Sequence, residues 1–216
     1  MKIVKKILTG LGIVIVISVL AAWILLNNIK KSALPDYNNS LKIYGLSEDV
    51  TVFRDEFGVP HIFAKNEKDL YRAVGFVMAQ DRLWQMDLLR RVTQGRLSEI
   101  FGKQQVNTDL LMRALRIPEK SDRIFSSASP EISEALISFA GGMNEYIQNY
   151  PLPPEFKVLG YKPEKWEPQH SINLIGYMAW DLSSGWGSEM VLRKIGKVVS
   201  KEQISELIPR LSNQKT

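Results

Sequence analysis

Two histidines, His61 and His170, are the only imidazoles in 216 residues, and cysteine is absent. Neither histidine has a second one at metal-pair spacing, so both are expected to be structural or surface residues rather than ligands. Without cysteine the chain has no thiolate nucleophile, no disulfide and no Cys-based zinc or iron–sulfur site. Asp81 and Asp87 lie six residues apart on one predicted helix, which keeps them from facing each other as an acid and base pair. No glycine-rich phosphate loop occurs, and no nucleophile elbow marks a serine. From spacing alone, this chain contains no catalytic constellation.

The elements that could position a site begin after an unusual N-terminus. Ile7 to Leu26 is an uncharged run of 20 residues preceded by three lysines. At about 1.5 Å per residue, a helix of that length reaches across a hydrocarbon core. Two readings stay open: Val19-Leu20-Ala21 resembles a signal-peptidase site, whereas Trp23-Ile24-Leu25-Leu26 carries the apolar run past it, as in an uncleaved anchor. Residues 1–28 are therefore expected to be a signal-anchor or transmembrane segment, with Lys2, Lys5 and Lys6 on the cytoplasmic side. Residues 29–40 read as a polar tether. Either reading puts the body, residues 41–216, outside the cytoplasm.

The net charge of +5 resides in the same N-terminal segment. Lys2, Lys5, Lys6, Lys30 and Lys31 are the only charged residues before Asp36, and without them 28 − 5 = 23 basic residues face 23 acidic ones. A neutral body with no Arg/Lys stripe gives no footprint for nucleic acid.

Within the body, Val50–Asp55 and Pro60–Ala64 are short β-branched and aromatic runs around a Glu56–Val59 turn, which predicts a hairpin. From Asn66 the period becomes helical, with Leu70, Ala73, Val74, Val77, Asp81, Trp84 and Leu88 in one stripe, Asn66 as N-cap and Gly95 past the end. Ser129-Pro130-Glu131 opens a second helix with Ile132, Leu136, Phe139, Met143 and Ile147 on one face, and its Gly141-Gly142 pair predicts a close helix contact. The proline-rich stretch from Pro151 to Pro168 reads as an ordered connection packed down by Phe156, Tyr161 and Trp166. Helices follow over Gln169–Leu182 and Ser188–Val199, and Ser200-Lys-Glu-Gln203 has the pattern of a capping box. One hairpin with five or six helices is too little sheet to cover its own edges, so further strands must come from elsewhere.

Three words then stand out. They are Val52-Phe-Arg-Asp-Glu-Phe-Gly-Val-Pro-His-Ile-Phe-Ala64, the run from Asp69 to Arg91 with Ala-Gln-Asp-Arg-Leu-Trp-Gln-Met-Asp at its centre, and Gly95-Arg-Leu-Ser-Glu-Ile-Phe-Gly102. Pro153-Pro154-Glu155-Phe156, Lys162-Pro-Glu-Lys-Trp166 and Ala179-Trp-Asp-Leu182 continue them. Together they resemble the start of the penicillin acylase (penicillin amidase) family, whose members are N-terminal nucleophile hydrolases matured from a precursor into an α and a β chain.

The resemblance implies an α+β fold: a mainly helical α-chain part of a four-layer αββα architecture, with one hairpin contributed to a shared sheet. It implies a bacterial enzyme that hydrolyses an acylated amine or amide, anchored in the inner membrane with its body in the periplasm, or secreted after signal cleavage. The catalytic serine would be the first residue of the partner β chain, leaving no catalytic residue here. The family's pocket methionine falls on Met178. Where the best-studied branch has arginine and phenylalanine, this chain has Asp181 and Leu182, which argues against a phenylacetyl-type pocket. The calcium glutamate falls on Glu189, shifted by one inserted residue, so a structural Ca²⁺ would be shared with the β chain. Arg54, Asp55, Asp81, Arg82, Arg90, Arg91 and Arg96 are expected to form buried ion pairs holding hairpin to helix. The competing reading is a truncated, non-catalytic, membrane-tethered remnant.

Overall fold

The computed structural model describes residues 2–33, 37, 40–183, 185–200 and 203. It divides into two compact units, 1–174 and 175–216.

The first helix, α1 (Lys2–Ala33), runs through the whole apolar segment. Its described side chains from 10 to 24 are all exposed. Among the described residues no helix is long and apolar enough to cross a membrane, so the transmembrane expectation gains no support. The expected tether is also partly helical, because nothing in Ile29–Ala33 breaks a helix before Pro35.

The core of the first unit is the packing of two helices, α2 (Glu67–Gln94) and α6 (Pro130–Asn149). The caps of α2 are those expected: Asn66 Oδ1 accepts from the Asp69 amide at 2.8 Å, and Gly95 closes the helix in the left-handed region. Ser129 and Pro130 open α6 as expected. The helices approach so closely that a Cβ on Gly142 would collide with the Arg72 carbonyl, and one on Gly75 with the Phe139 carbonyl. Around this contact Phe76, Ala79, Leu83, Ala140, Met143 and Tyr146 are buried with Phe156 and Trp166. The stripes differ from those expected. Val74, Trp84 and Leu88 are half-buried while Phe76, Ala79 and Leu83 are buried, because α2 is enclosed on several sides; Ile132 is exposed because α6 presents its small residues to α2.

Between them lie α3 (Ser98–Phe101), a 3₁₀ turn (Lys103–Gln105), α4 (Val106–Leu115) and α5 (Ile117–Ser126). The sequence assigns no element to 103–128. Buried Asp109 ties this segment back by accepting the Leu97 and Ser98 amides, each at 2.8 Å.

Strands β1 (Thr51–Arg54) and β2 (Pro60–Phe63) form the expected antiparallel hairpin, with Arg54 opposite Pro60. Asp55 holds the turn by accepting the Phe57 and Val59 amides. The hairpin leaves Phe53, Phe57 and Phe63 exposed. Arg54 docks it on α2 through both Asp81 oxygens at 2.9 Å and lies over the Tyr37 ring. The other charged residues of the motif do not hold hairpin to helix. Asp55 pairs with His61 inside the hairpin, and Arg82 is exposed without an ion pair among the described residues. Arg90 and Arg91 lie nine and ten residues beyond Asp81, about 13–15 Å further along the helix, and serve a different neighbour.

That neighbour is the connection leaving α6, which contains α7 (Pro154–Val158). Buried Asp87 pairs with Arg90 and Arg91 and accepts from Tyr161 at 3.0 Å. Arg90 donates to the Glu164 and Lys165 carbonyls, and Arg96 binds both oxygens of Glu164. The Arg96 bonds hold the Glu164 carboxyl down to about 2. Asn144 on α6 exchanges two hydrogen bonds with the Trp166 backbone. Helix α8 (Pro168–Leu182) starts here, and His170 accepts the Glu167 amide at Nδ1 with its ring edge against Trp166. Burial, assisted by Arg90, pushes His170 down to about 4.

The second unit holds the end of α8 and α9 (Trp186–Ile195). Ser200 and Gln203 exchange the two bonds of a capping box, at 3.0 and 3.4 Å. The remainder of the expected last helix lies outside the described residues.

Two substitutions one residue apart test the close helix contact. Alanine favours a helix over glycine by about 1 kcal/mol at either site. Gly142→Ala meets backbone and should be net destabilising by about 1–3 kcal/mol, whereas Gly141→Ala meets only the movable Arg72 guanidinium and should be near neutral. Thermal unfolding of both variants reads the order.

His170 gives a pH signature. The folded state keeps it neutral down to about 4 while an unfolded chain protonates it near 6.5, so its contribution is complete above pH 6.5 and is lost as pH falls toward 4. Denaturant midpoints of His170→Gln should fall less steeply than those of the unsubstituted protein between pH 7 and pH 5. Parallel profiles would assign the acid sensitivity to other groups.

Candidate functional site

Helix periodicity puts Met178, Asp181 and Leu182 on one face of α8, at spacings of three and four. Met178 is 51% exposed and Leu182 78%. Ile175, one turn earlier and 68% exposed, extends the stripe, so three aliphatic or thioether side chains stand in a row. Spacing of i, i+3 and i+7 is the signal that finds Ile175 in the sequence. Tyr177 and Trp180 pair with each other at 6.1 Å, off this stripe. Asp181 is exposed and makes no ion pair among the described residues. A row of this composition offers apolar contact to a flexible chain, with a carboxylate at its border.

Glu189 lies in the first turn of α9, is exposed, and makes no ion pair among the described residues. Its carboxylate is free to ligate a hard cation and is also favoured there by the helix dipole. Calcium takes six to eight oxygens, of which one carboxylate supplies at most two. Among the described residues no group of three or more His, Cys, Asp or Glu side chains could hold a metal ion. Glu189 by itself could therefore furnish only a fraction of a calcium shell.

The perturbed titratable groups elsewhere are accounted for by structural contacts. Asp69 is held far below the usual carboxylate range by bonds from Ser47, Asn66 and Glu48 that clip residues 47–48 to α2. Asp55 is lowered by its bond to His61 and the turn amides. Burial raises Tyr146 and Tyr161 to about 12. Among the described residues no serine hydroxyl is bonded to a histidine. A polar cavity formed by α2, α5 and the start of α8 was not visible from motif spacing, since its residues span 94 to 173.

Comparison with known proteins bears on this arrangement. The sequence model of the family described as penicillin amidase matches residues 49–215. Penicillin acylase 2 proenzyme from Pseudomonas sp. (strain SE83) is 42% identical over 157 residues, which is 72% of this chain and 20% of that protein. The acyl-homoserine lactone acylase QuiP of Pseudomonas syringae pv. syringae is 30% identical over 184 residues, 84% of this chain and 22% of that protein. Penicillin G acylase of Escherichia coli is 38% identical over 128 residues, 56% of this chain and 15% of that protein. The chain thus spans about a fifth of the length of these curated relatives. Among solved structures, a thermostable penicillin G acylase from Alcaligenes faecalis superposes with a TM-score of 0.64 at 26% identity, covering 78% of this chain and 95% of that one. The matched region begins just before the hairpin and takes in every helix from α2 to α9, so this chain belongs to the penicillin amidase family of hydrolases.

Proposed function

We propose that this chain is the α-chain part of an extracytoplasmic N-acyl amide hydrolase, and that the catalytic serine is the first residue of a separate β chain. One observation carries this reading. The chain accounts for 15% of a whole penicillin G acylase yet for 95% of one chain in a solved enzyme of that name, so the equivalent region there is a polypeptide of its own. The exposed apolar hairpin supports it further, since a two-stranded sheet with bare aromatic faces requires strands from a partner to form the four-layer αββα core.

The chemistry needs nothing titratable from this chain. An α-amine titrates near 7.7–8.0, so at neutral pH part of it is unprotonated and takes the proton of the serine hydroxyl as that oxygen attacks the amide carbon. Collapse of the tetrahedral adduct breaks the C–N bond, the amine leaves with the proton, and water hydrolyses the acyl ester. The share of this chain is selection of the acyl group. Ile175, Met178 and Leu182 form an aliphatic wall suited to a linear chain, and Asp181 disfavours an anionic tail. Penicillins and acyl-homoserine lactones, after which those relatives are named, are the two substrate classes to assay first. Glu189 supplies one ligand to a structural Ca²⁺ completed by β-chain oxygens. The N-terminal segment directs export, either cleaved as a signal or retained as an anchor.

The deciding measurement is turnover of acyl anilides, penicillins and acyl-homoserine lactones by this chain alone and by the chain coexpressed with the sequence encoded downstream. The chain alone should be inactive and the pair active; a frameshifted or missing downstream region would establish the remnant instead. In the active pair, Leu182→Ala should lower kcat/KM for long acyl chains by about 5- to 30-fold while sparing acetyl substrates, the size expected for losing a few methylenes of contact. Glu189→Gln should reduce bound calcium and the yield of processed chains. Equal calcium and processing would leave Glu189 as a helix-end carboxylate only, worth about 0.3–1 kcal/mol.

A further inference from the structure

A cavity of about 280 Å³ opens in the first unit, where the start of α8 meets the ends of other helices. Gln94 at the end of α2, Asp122 on α5, and Glu167, Gln169, His170 and Asn173 at the start of α8 line it. Asp122 and Glu167 are both exposed at its mouth, and neither is in an ion pair among the described residues. No arginine or lysine belongs to the lining. Arg90 and Arg96 stand nearby, but their guanidinium groups are taken by Asp87, Glu99 and Glu164. His170 is neutral at pH 7 and adds no positive charge.

A second, independent feature lies at the base. Asn173 is 1% exposed, and its Oδ1 has no hydrogen-bond partner. Most buried polar atoms of native proteins are paired, and a half-turn of the terminal carboxamide can present either its oxygen or its NH₂ to the cavity. Gln94 is already engaged by Arg96 at 3.2 Å, so Asn173 is the buried amide of the lining whose oxygen is unpaired.

We propose that this cavity binds a small organic cation carrying N–H donors, an alkylammonium or guanidinium group, with Asp122 and Glu167 supplying the charge and Asn173 the buried acceptor. An anion would face two carboxylates. A divalent metal ion lacks ligands, because the described residues contain no group of three His, Cys, Asp or Glu side chains able to hold one. The volume fits one such head with a short stem rather than a drug-sized ligand. The cation can be a free small molecule or a lysine or arginine side chain of another polypeptide; the chemistry of the site is the same.

The test uses the full protein with whatever downstream chain accompanies it, titrated calorimetrically with methylguanidinium, and with acetate as an anionic control. Saturable methylguanidinium binding, absent for acetate and weakened at least tenfold by Asp122→Asn with Glu167→Gln and by Asn173→Leu, is the expected result. Asp122 and Glu167 are surface residues, so their variant should fold even if Asn173→Leu does not. Should methylguanidinium fail to bind while the Asp122→Asn, Glu167→Gln variant loosens association with the downstream chain at least tenfold, the cation is a side chain of that chain and the site stands. Unchanged association without methylguanidinium binding, or binding equally strong in the charge variant, overturns the proposal. Because titration does not read amide hydrolysis, this result is independent of the hydrolase reading.

Discussion

The buried carboxylate of Asp87 is the constraint on which the first unit depends. Two guanidinium groups and a phenol converge on it from α2 and from the connection near Tyr161. Removing one partner of a buried charge pair costs about 3–5 kcal/mol, since the survivor stays desolvated and unpaired. Arg90 is the critical member, because it also donates to the Glu164 and Lys165 carbonyls and lies near the Trp166 ring. One side chain therefore joins the last turns of α2 to the residues that launch α8. Asn144 grips the same point from α6 through the Trp166 backbone. The proline-rich connection has little helix of its own, yet it is fixed by charge and amide bonds that a hydrophobic contact could not orient.

The outer surfaces follow a different logic. Polar satisfaction is dense around Asp87, whereas the hairpin and the α8–α9 unit expose Phe53, Phe57, Phe63, Ile175, Leu182 and Trp186. Each exposed aromatic or aliphatic group keeps apolar area in water that burial would stabilise at roughly 25 cal/mol per Å². Contiguous patches of this kind mark surfaces that other polypeptide or ligand covers. In the two-chain enzyme proposed above, the hairpin receives strands and the α8 stripe faces acyl chain, so a surface that looks costly in isolation becomes interior.

What was legible in the sequence was what short-range physics encodes. Asn66, Gly95, Ser129 and Pro130 announce the ends of α2 and α6 because their own side chains or backbone make the caps. The signals are weaker for α4 and α5: their N-caps Gln105 and Arg116 make no side-chain cap bond, Pro118 alone marks the start of α5, and buried Asp109 holds the segment from within. Arg54 holds the hairpin to α2 as the motif suggests, whereas Arg90 meets a carbonyl 74 residues away, which no local pattern reveals. The face of α6 departs from its apolar stripe only in part: Met143 is buried in the core, but the contact with α2 depends on absent side chains at Gly142 and Gly75, and Ile132 stays exposed. Met178, Asp181 and Leu182 share a face by periodicity alone, but the Asn173 cavity is assembled from three separate helical segments and has no sequence signature.

A division of labour between chains has a physical consequence for specificity. Proton transfer by an N-terminal amine requires only that amine, its hydroxyl and a group to stabilise the oxyanion, all held in hydrogen-bonding position to within about half an ångström. Selection of an acyl chain requires shape and apolar area, which tolerate substitution far better. In the proposed two-chain enzyme, an aliphatic stripe on a helix of one chain and a nucleophile on the other would let Ile175, Met178 and Leu182 change without moving the reacting atoms. Asp181 marks the limit of that freedom. A carboxylate beside an apolar wall is stable only while solvated, so a substrate that covered it would have to bring a donor or leave it at the rim. An uncharged acyl chain lying along Ile175, Met178 and Leu182, with Asp181 left solvated at the rim, meets the second condition.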